Sequence, residues 1–394
     1  MSVTAPLGFR AAGVAAGIKF GRLDLALVAG DGPCAAAGIF TANLAKAAPV
    51  LVSREHLLGG RARAIVINAG CANAGTGDAG LADAREMAAL AASAVGCLPA
   101  EVVVASTGVI GTRLPMDKVR AGVAEAARHL SRDGGADAAR AIMTTDTRPK
   151  LVAARYEWGG VSCQVGGMAK GAGMIAPNLA TMLAFFTTDA TVAPALLRRA
   201  LVSAVGESLN RITVDGDTST NDCAVALASG AAGAPEITGE GAGYDALCHA
   251  LTQVSRELAR QLVRDGEGVT RIAEVRVEGA RTSDEADRIA RTVAESPLVK
   301  TALHGGDPNW GRVLAAVGRA GVPLDISGVS LWIGDVHVAE AGAARDYVET
   351  QAAAAMQEDP VRLRICLAEG QASGWIWTSD LSHGYVDINA HYRS

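Results

Sequence analysis

Aromatic side chains are scarce in this sequence. Phe, Trp and Tyr make up 4% of the 394 residues, whereas glycine alone accounts for 46 of them. The core must therefore be built from small aliphatic side chains that allow close backbone packing. With 49% hydrophobic and 20% charged residues, the composition is that of a globular protein with material for one large domain or two.

Blocks of like charge and long apolar runs are also missing. The net charge is only −5, so neither a nucleic acid nor an anionic membrane is an expected partner, and a small metabolite is the expected ligand. The first residues lack the basic start of a signal peptide. The most apolar stretch, 171–186, is too short to cross a bilayer. We expect a cytoplasmic protein.

Common catalytic and metal-binding motifs are absent as well. The seven cysteines form no C-x-x-C pair, which is typical of reduced thiols in a cytosolic protein. There is no G-x-S-x-G, no phosphate-binding GxxxxGK[ST] loop and no H-E-x-x-H, and no histidine lies at ligand spacing from another His or Cys. The glycines of 239–244 follow no strand, as a dinucleotide-binding loop would. We therefore predict no metal and no cofactor.

The hydrophobic pattern indicates mixed α and β structure. Apolar alternation predicts two half-buried strands, and three further short apolar runs read as strands. An apolar stripe predicts a long helix, and a second helix follows with Ser283 as N-cap and Pro297 just beyond its end. The predicted strands are 64–68, 101–106, 271–278, 329–333 and 361–367, and the helices are 244–264 and 284–295. Strands and helices do not alternate regularly, so a layered α+β fold is expected rather than a doubly wound sheet.

The segment MAKGAGMIAPNLATMLAFFTTDA, residues 168–190, carries the most informative chemistry. It joins a Gly-rich turn and a Pro-Asn pair to Ala180–Thr181 within an apolar run. The Thr181 hydroxyl can attack the preceding carbonyl, and hydrolysis of the resulting ester leaves Thr181 at a new N-terminus. The new α-amine, with a reference pKa of about 8, is a base beside its own hydroxyl. By itself, a Thr in such a run is more typical of a half-buried strand.

Several further blocks resemble one known family and occur in its order. The chain is similar to the ornithine acetyltransferase (glutamate N-acetyltransferase) family of arginine biosynthesis, and the resemblance runs nearly end to end. Besides the segment around Thr181, it rests on STGVIGTRLP (106–115), TTDTRPK (144–150), DGDTSTND (215–222), RDGEG (264–268), HGGDPNWGR (304–312) and YVDINAHYRS (385–394).

The resemblance implies self-cleavage between Ala180 and Thr181, giving chains 1–180 and 181–394. It implies that Thr181 then carries acetyl from N-acetylornithine to glutamate by a ping-pong reaction. Thr107 and Gly108 correspond to the family's oxyanion hole. The implied fold is the layered α+β sandwich of this family, of N-terminal-nucleophile type, and the implied assembly is an α2β2 heterotetramer. Some members also use acetyl-CoA as donor, and the residues here do not decide between the two types.

The resemblance also implies a set of substrate-binding residues: Thr147, Lys170, Thr181, Glu267, Asn389 and Ser394. From charge complementarity we assign Lys170 to the substrate carboxylate and Glu267 to the ornithine side-chain ammonium. Either residue could also be a solvated loop charge, and the tail residues could belong to a disordered terminus. The aromatic residues Trp375, Trp377 and Tyr385 favour a tail that packs onto the body.

Two questions stay open at the level of sequence. The Asp-rich blocks 215–222 and 304–312 read as structural loops near the active site, with a metal site as the alternative. The alternatives to the acetyltransferase are an N-terminal-nucleophile aminopeptidase or amidase, in which water is the acceptor, and an uncleaved amino-acid-binding protein. Denaturing electrophoresis distinguishes the uncleaved binding protein from the enzymes, because only the enzymes would yield two fragments.

Overall fold

The computed structural model describes residues 2–176 and 182–391. Within them the strands are β1 (Phe9–Val14), β2 (Leu25–Phe40), β3 (Arg61–Cys71), β4 (Val102–Val109), β5 (Lys150–Trp158), β6 (Val161–Lys170), β7 (Leu183–Thr188), β8 (Ile212–Thr213), β9 (Cys223–Ala228), β10 (Ile272–Ala280), β11 (Ser330–Ile333), β12 (Val336–Glu340), β13 (Ala343–Ala344), β14 (Val361–Cys366) and β15 (Ala372–Ser379). The α-helices are α1 (Ala48–His56), α2 (Gly77–Val95), α3 (Met116–Arg128), α4 (Gly135–Ala141), α5 (Pro194–Gly206), α6 (Ala242–Arg264), α7 (Ser283–Ala294), α8 (Pro297–Gly305), α9 (Trp310–Gly318), α10 (Glu349–Ala355) and α11 (His383–Ala390). Short 3-10 turns span Leu57–Gly59, Pro99–Glu101, Leu209–Arg211 and Ile326–Gly328.

The chain divides into two compact units. Unit 1 comprises Met1–Asn210 and Asp217–Leu262, and unit 2 comprises Arg211–Gly216 and Val263–Ser394. The boundary near 262 falls within α6, where neither composition nor hydrophobic pattern changes. The predicted division at residue 180 concerns a covalent cut and stays a prediction.

Unit 1 is built on a mixed sheet in the order β4-β3-β2-β9-β7-β6-β5, with β1 added on β2. Both faces of its central strands are covered. On β3, Ala64 and Val66 belong to the core formed with α1, α2 and α3, whereas Ile65 and Ile67 belong to the core formed with α4. A strand buried on both faces needs a continuous apolar run. The predicted strand at 64–68 is thereby confirmed.

Unit 2 contains a second mixed sheet in the order β13-β12-β11-β14-β10-β15-β8. One face packs against α7, α8 and α9 around buried aliphatic residues such as Val275 and Ile289. The other face is half-buried and polar, with Trp332 under the guanidinium of Arg364. The alternation predicted for β10 and β14 is therefore confirmed. Thr282, not Ser283, is the N-cap of α7, since its side chain accepts a hydrogen bond from the Glu285 backbone.

The predicted fold class is confirmed as layered α+β. The apolar stripe predicted for α6 is also correct, because Leu247, Leu251, Val254, Leu258 and Leu262 are all buried. Within the described residues, no helix is both long and apolar enough to cross a membrane.

Candidate active site

Three of the predicted site residues, Ala180, Thr181 and Ser394, lie outside the described residues. The residues on either side of 177–181 are held by DGDTSTND and the strand that follows it. The Ala176 carbonyl accepts a hydrogen bond from Thr218 Oγ1 at 3.0 Å, and the Met182 carbonyl accepts one from the Cys223 backbone at 3.0 Å. The block therefore makes structural hydrogen bonds here, and its place beside the active site stays a prediction.

Thr107 and Gly108 lie inside β4, which runs on to Val109, beyond the predicted end of this strand at residue 106. Gly108 pairs with Gly70 of the parallel neighbour β3, beside a register irregularity at Cys71. Its φ is +129°, and a Cβ there would lie 2.3 Å from the Gly70 carbonyl carbon. Only glycine fits this backbone. The positive φ and the register irregularity mark a departure from regular strand geometry at Gly108.

Lys170 ends β6 and meets Thr107 in the interior of unit 1. Its Nζ donates to Thr107 Oγ1 at 3.0 Å, and both residues are only 8% exposed. Residues 63 positions apart in the sequence thus share one hydrogen bond. The structure brings together two of the residues singled out by the resemblance.

Asp146 organises the charge behind Lys170. Its Oδ1 accepts from Lys150 Nζ at 2.5 Å and from the Gly171 backbone at 2.8 Å, while Oδ2 accepts from the Thr144 backbone at 2.9 Å. Burial raises the pKa of this carboxyl, but the charges of Lys150 and Lys170 and the hydrogen bonds outweigh it and lower the pKa to about 2. Asp146 is a fixed negative charge at neutral pH.

Asp222 is a second buried acid in this region, with the opposite electrostatics. The residue is 3% exposed, and its Oδ2 has no hydrogen-bond partner among the described residues. Burial raises its pKa well above the ordinary value, although Lys170 and Ser219 act in the other direction. Two carboxyl groups with pKa values pushed apart are typical of sites that handle protons.

The neighbouring Asn221 ties this loop to the strand that carries Thr107. Its Nδ2 donates to the Ala72 carbonyl at 2.6 Å and to the Ser106 carbonyl at 2.9 Å. The amide therefore links the end of β4 to the residue that follows β3. Asn221 is therefore a structural support for the candidate oxyanion hole.

Thr147 is exposed and lines a cavity of about 500 Å³. Lys19, Arg22 and Arg140 line the same cavity, as does Asp146. The side chain of Lys19 also passes over Gly70, where an added Cβ would meet Lys19 Cγ at 2.9 Å. The cavity therefore borders Asp146 and, through Lys19, the paired strands β3 and β4 that contain Gly70 and Gly108.

Unit 2 brings together two other predicted residues. Asn389 Nδ2 donates to Glu267 Oε2 at 2.7 Å, and Glu267 is only 6% exposed. The tail is held on the same loop, because Ser382 Oγ donates to the Gly268 carbonyl at 2.5 Å. Asn389 itself is exposed, and so is most of α11. The predicted tail contact is present, but the helix is only partly covered within unit 2.

Sequence reasoning missed Asp146, Lys150 and Asp222 as members of the site. Each lies within one of the family-like blocks, so membership of TTDTRPK or DGDTSTND was the signal that could have found them. No group of three or more His, Cys, Asp or Glu side chains in the described residues is arranged to hold a metal. In HGGDPNWGR, Asn309 caps α9 by accepting from the Arg312 backbone at 3.1 Å, which is a structural role.

Comparison with known proteins places this arrangement in a family. The model of the ArgJ family matches residues 10–394. The arginine biosynthesis bifunctional protein ArgJ of Symbiobacterium thermophilum is 52% identical over 395 residues, covering 100% of this chain and 98% of that protein.

Two solved structures are similar to about half of the chain each. The crystal structure of the arginine biosynthesis bifunctional protein argJ from Bacillus halodurans is 40% identical, with a TM-score of 0.51, and covers 52% of this chain and 97% of that one. Ornithine acetyltransferase from Mycobacterium tuberculosis, solved with ornithine, is 55% identical with a TM-score of 0.43 and covers 45% of this chain and 96% of that one.

Proposed function

This chain belongs to the ArgJ family and is an acyltransferase of arginine biosynthesis, and we propose that it works through a covalent acetyl group on Thr181. The donor is N2-acetyl-L-ornithine and the acceptor is L-glutamate. The observation that carries the proposal is the buried contact between Lys170 and Thr107, because it joins two candidate site residues from strands β6 and β4, which four other strands separate in unit 1's sheet.

The first step is maturation. The Thr181 hydroxyl attacks the Ala180 carbonyl, the C–N bond breaks as nitrogen takes a proton, and water hydrolyses the ester. The products are chains 1–180 and 181–394, the second with a free α-amine beside the nucleophile. The Bacillus structure supports this division, since nearly all of that chain corresponds to about half of this one.

Transfer then follows in two half-reactions. The α-amine of Thr181 takes the hydroxyl proton as the oxygen attacks the acetyl carbonyl, and it gives that proton to the nitrogen of ornithine as the C–N bond breaks. The amine of glutamate then attacks the acetyl-enzyme, its proton passes through the α-amine to the Thr181 oxygen, and the ester C–O bond breaks to release N-acetylglutamate. Backbone and hydroxyl groups of Thr107 and Gly108 stabilise the oxyanion. Lys170 orients the Thr107 hydroxyl, because its Nζ donates to Oγ1 and leaves the Thr107 O–H free to donate.

Substrate recognition uses the residues that correspond to the family's substrate contacts. In unit 1, Lys170 and Thr147 bind the α-carboxylate. In unit 2, Glu267 binds the ornithine side-chain ammonium, and Asn389 holds that carboxylate through its 2.7 Å hydrogen bond, with Ser394 completing the set. Charge complementarity supports these assignments.

Three further properties belong to the same proposal. Acetyl-CoA is a second acetyl donor, which the word bifunctional in the names of the relatives supports. Two copies of each chain form an α2β2 heterotetramer, and the enzyme acts in the cytoplasm. No cofactor takes part.

Replacing Thr181 tests the proposal. Wild-type protein is expected to give two fragments on denaturing electrophoresis and to form N-acetylglutamate from acetylornithine and glutamate. Thr181→Ala is expected to stay whole and to lose transfer, whereas Thr181→Ser keeps a hydroxyl and should retain some of both. An uncut wild-type chain that is fully active, or an active Thr181→Ala variant, would refute it. Acetate release without N-acetylglutamate would favour the amidase instead.

A further inference from the structure

One loop of unit 1 carries two cations that line the cavity beside the candidate site and, between them in the sequence, an exposed aromatic residue. It lies between β1 and β2 and contains Lys19, Phe20 and Arg22. The buried carboxylate of Asp24 shapes it by accepting from the Ala16 backbone at 2.6 Å and from the Lys19 backbone at 2.7 Å. The loop is thus held in a defined conformation by a residue that is 0% exposed.

This loop forms one side of the cavity of about 500 Å³ that Thr147 also lines. Lys19, Arg22 and Arg140 contribute positive charge to the lining. The carboxylate in the lining, Asp146, is already engaged by Lys150. Among the cations, Arg140 is paired with Asp137 at 2.7 Å, while no described carboxylate forms an ion pair with Arg22. The cavity wall therefore carries a surplus of positive charge.

Lys19 is surrounded by charges of both signs. Burial is the main reason that the pKa of its ammonium is lowered; Asp24 is the strongest charge acting on it and opposes the shift, as does Asp146, whereas Arg22 and Lys170 repel the ammonium and add to the shift. Lys19 Nζ donates to the Met143 carbonyl at 2.6 Å, a neutral partner. An anion bound in the cavity would relieve this repulsion.

Phe20 adds a second kind of recognition. Its side chain is fully exposed, at 104% of the reference area, between two of the cationic residues of the loop. An aromatic face beside cations suits a ligand with a flat base and phosphate groups, since bases stack on aromatic rings and guanidinium groups bind phosphate. The γ-carboxylate of glutamate would use the charge alone and would leave most of the cavity unfilled.

We propose that this cavity, together with the exposed ring of Phe20 in the same loop, binds the nucleotide portion of the second acetyl donor, acetyl-CoA. The phosphates meet Arg22 and Lys19, and the adenine stacks on Phe20. The thioester end then points along Lys19 towards Gly70 and the candidate oxyanion hole. The inference rests on the proposed function, because it places the second donor at the same acyl-transfer site.

The experiment uses the complete mature protein and the variants Arg22→Gln and Phe20→Ala. Arg198→Gln, at an exposed arginine on α5, is the matched control. Binding of CoA and of adenosine 3′,5′-bisphosphate is measured by titration calorimetry. We expect wild type and the control to bind both, and each loop variant to bind at least about fivefold more weakly, since a charged hydrogen bond or a stacked base is lost.

Kinetics distinguish the possible anions. With glutamate as acceptor, we expect the ratio of kcat/KM for acetyl-CoA to that for acetylornithine to fall at least about fivefold in Arg22→Gln and to stay at the wild-type value in Arg198→Gln. A rise in the KM for glutamate in Arg22→Gln, with the donor ratio unchanged, would instead assign Arg22 to the acceptor's carboxylate and overturn the proposal. Equal ratios in all variants would also overturn it.

The activity of the wild-type protein distinguishes failure of the proposed nucleotide site from failure of the proposed acetyltransferase function. Protein that transfers acetyl from acetylornithine to glutamate, but neither binds CoA nor uses acetyl-CoA, contradicts the nucleotide site and leaves the acetyltransferase intact. Protein that transfers from neither donor contradicts the proposed function itself.

Discussion

Each unit buries a lysine, and the two are held by different chemistry. Lys150 of unit 1 is 0% exposed and forms a 2.5 Å ion pair with Asp146, whose carboxylate also accepts backbone hydrogen bonds. Lys300 of unit 2 is 4% exposed and donates to Thr378 Oγ1, to Ser379 Oγ and to the Ser379 carbonyl, all of them neutral oxygens.

The difference has an electrostatic consequence. Burial lowers the pKa of Lys300 to about 8, although Asp380, Asp215 and Glu295 act against the shift. The charge of Lys300 therefore changes near neutral pH, whereas the Asp146 carboxylate, paired with Lys150, stays negatively charged beside Lys170. In unit 1 the buried lysine is thus compensated by an opposite charge at the candidate site. In unit 2 the buried lysine lowers the unfolding free energy by an amount that depends on pH.

The largest effect should come from breaking the pair in unit 1. Lys150→Met leaves Asp146 buried without its main counter-charge, which typically costs about 3–5 kcal/mol of unfolding free energy. Urea unfolding measures the loss. Adding Asp146→Asn removes the orphaned charge and should recover part of it, because the amide oxygen still accepts from Gly171. A Lys150→Met variant within about 1 kcal/mol of wild type would show that the pair is not compensated as described.

Gly108→Ala probes the rigid strand pair of the same unit. The new Cβ would approach the Gly70 carbonyl carbon to 2.3 Å, so the backbone must move. We expect transfer activity to fall by about 10²–10³, the usual cost of losing an oxyanion donor, with the effect mainly in kcat. Gly111→Ala is a control at a nearby positive-φ glycine, where the added Cβ meets nothing within 4 Å. Similar kcat losses in both variants would attribute the effect to strain alone.

The buried lysine of unit 2 predicts a pH dependence. Because its pKa in the folded state, about 8, lies below the unfolded value near 10.4, the unfolded chain binds more protons between these limits. Stability should therefore rise with pH across this window, by at most about 1.4 kcal/mol per pH unit from this group. Subtracting the curve of Lys300→Met from that of wild type isolates the contribution. A difference curve that is flat from about pH 8 to about pH 10 would contradict the assignment.

The elements of both units follow from local sequence patterns, while the buried charges do not. The apolar run of 64–68 and the stripe on α6 report burial directly, because hydrophobic periodicity reflects which face is covered. Asp146 and Lys150 look like surface charges in a polar loop, and their burial depends on Gly171, 25 residues further along the chain from Asp146. The role of Asp222 likewise depends on contacts with distant strands. Thr107, Gly108 and Lys170 were identified through family resemblance and not through periodicity.

The smallest predicted effect concerns substrate choice in unit 2. Glu267→Gln preserves the size of the side chain and an oxygen that can accept from Asn389, so folding should be little affected. It removes the negative charge that faces the ornithine ammonium, and only one of the two amino acids carries that group. We expect the KM for acetylornithine to rise about tenfold and product inhibition by ornithine to weaken about tenfold. The KM for glutamate should change less than about twofold. Glu349→Gln, at an exposed glutamate of the same unit, is the control. Equal losses for ornithine and glutamate would mean that Glu267 recognises the α-amino group common to both, and that unit 2 contributes binding without selectivity.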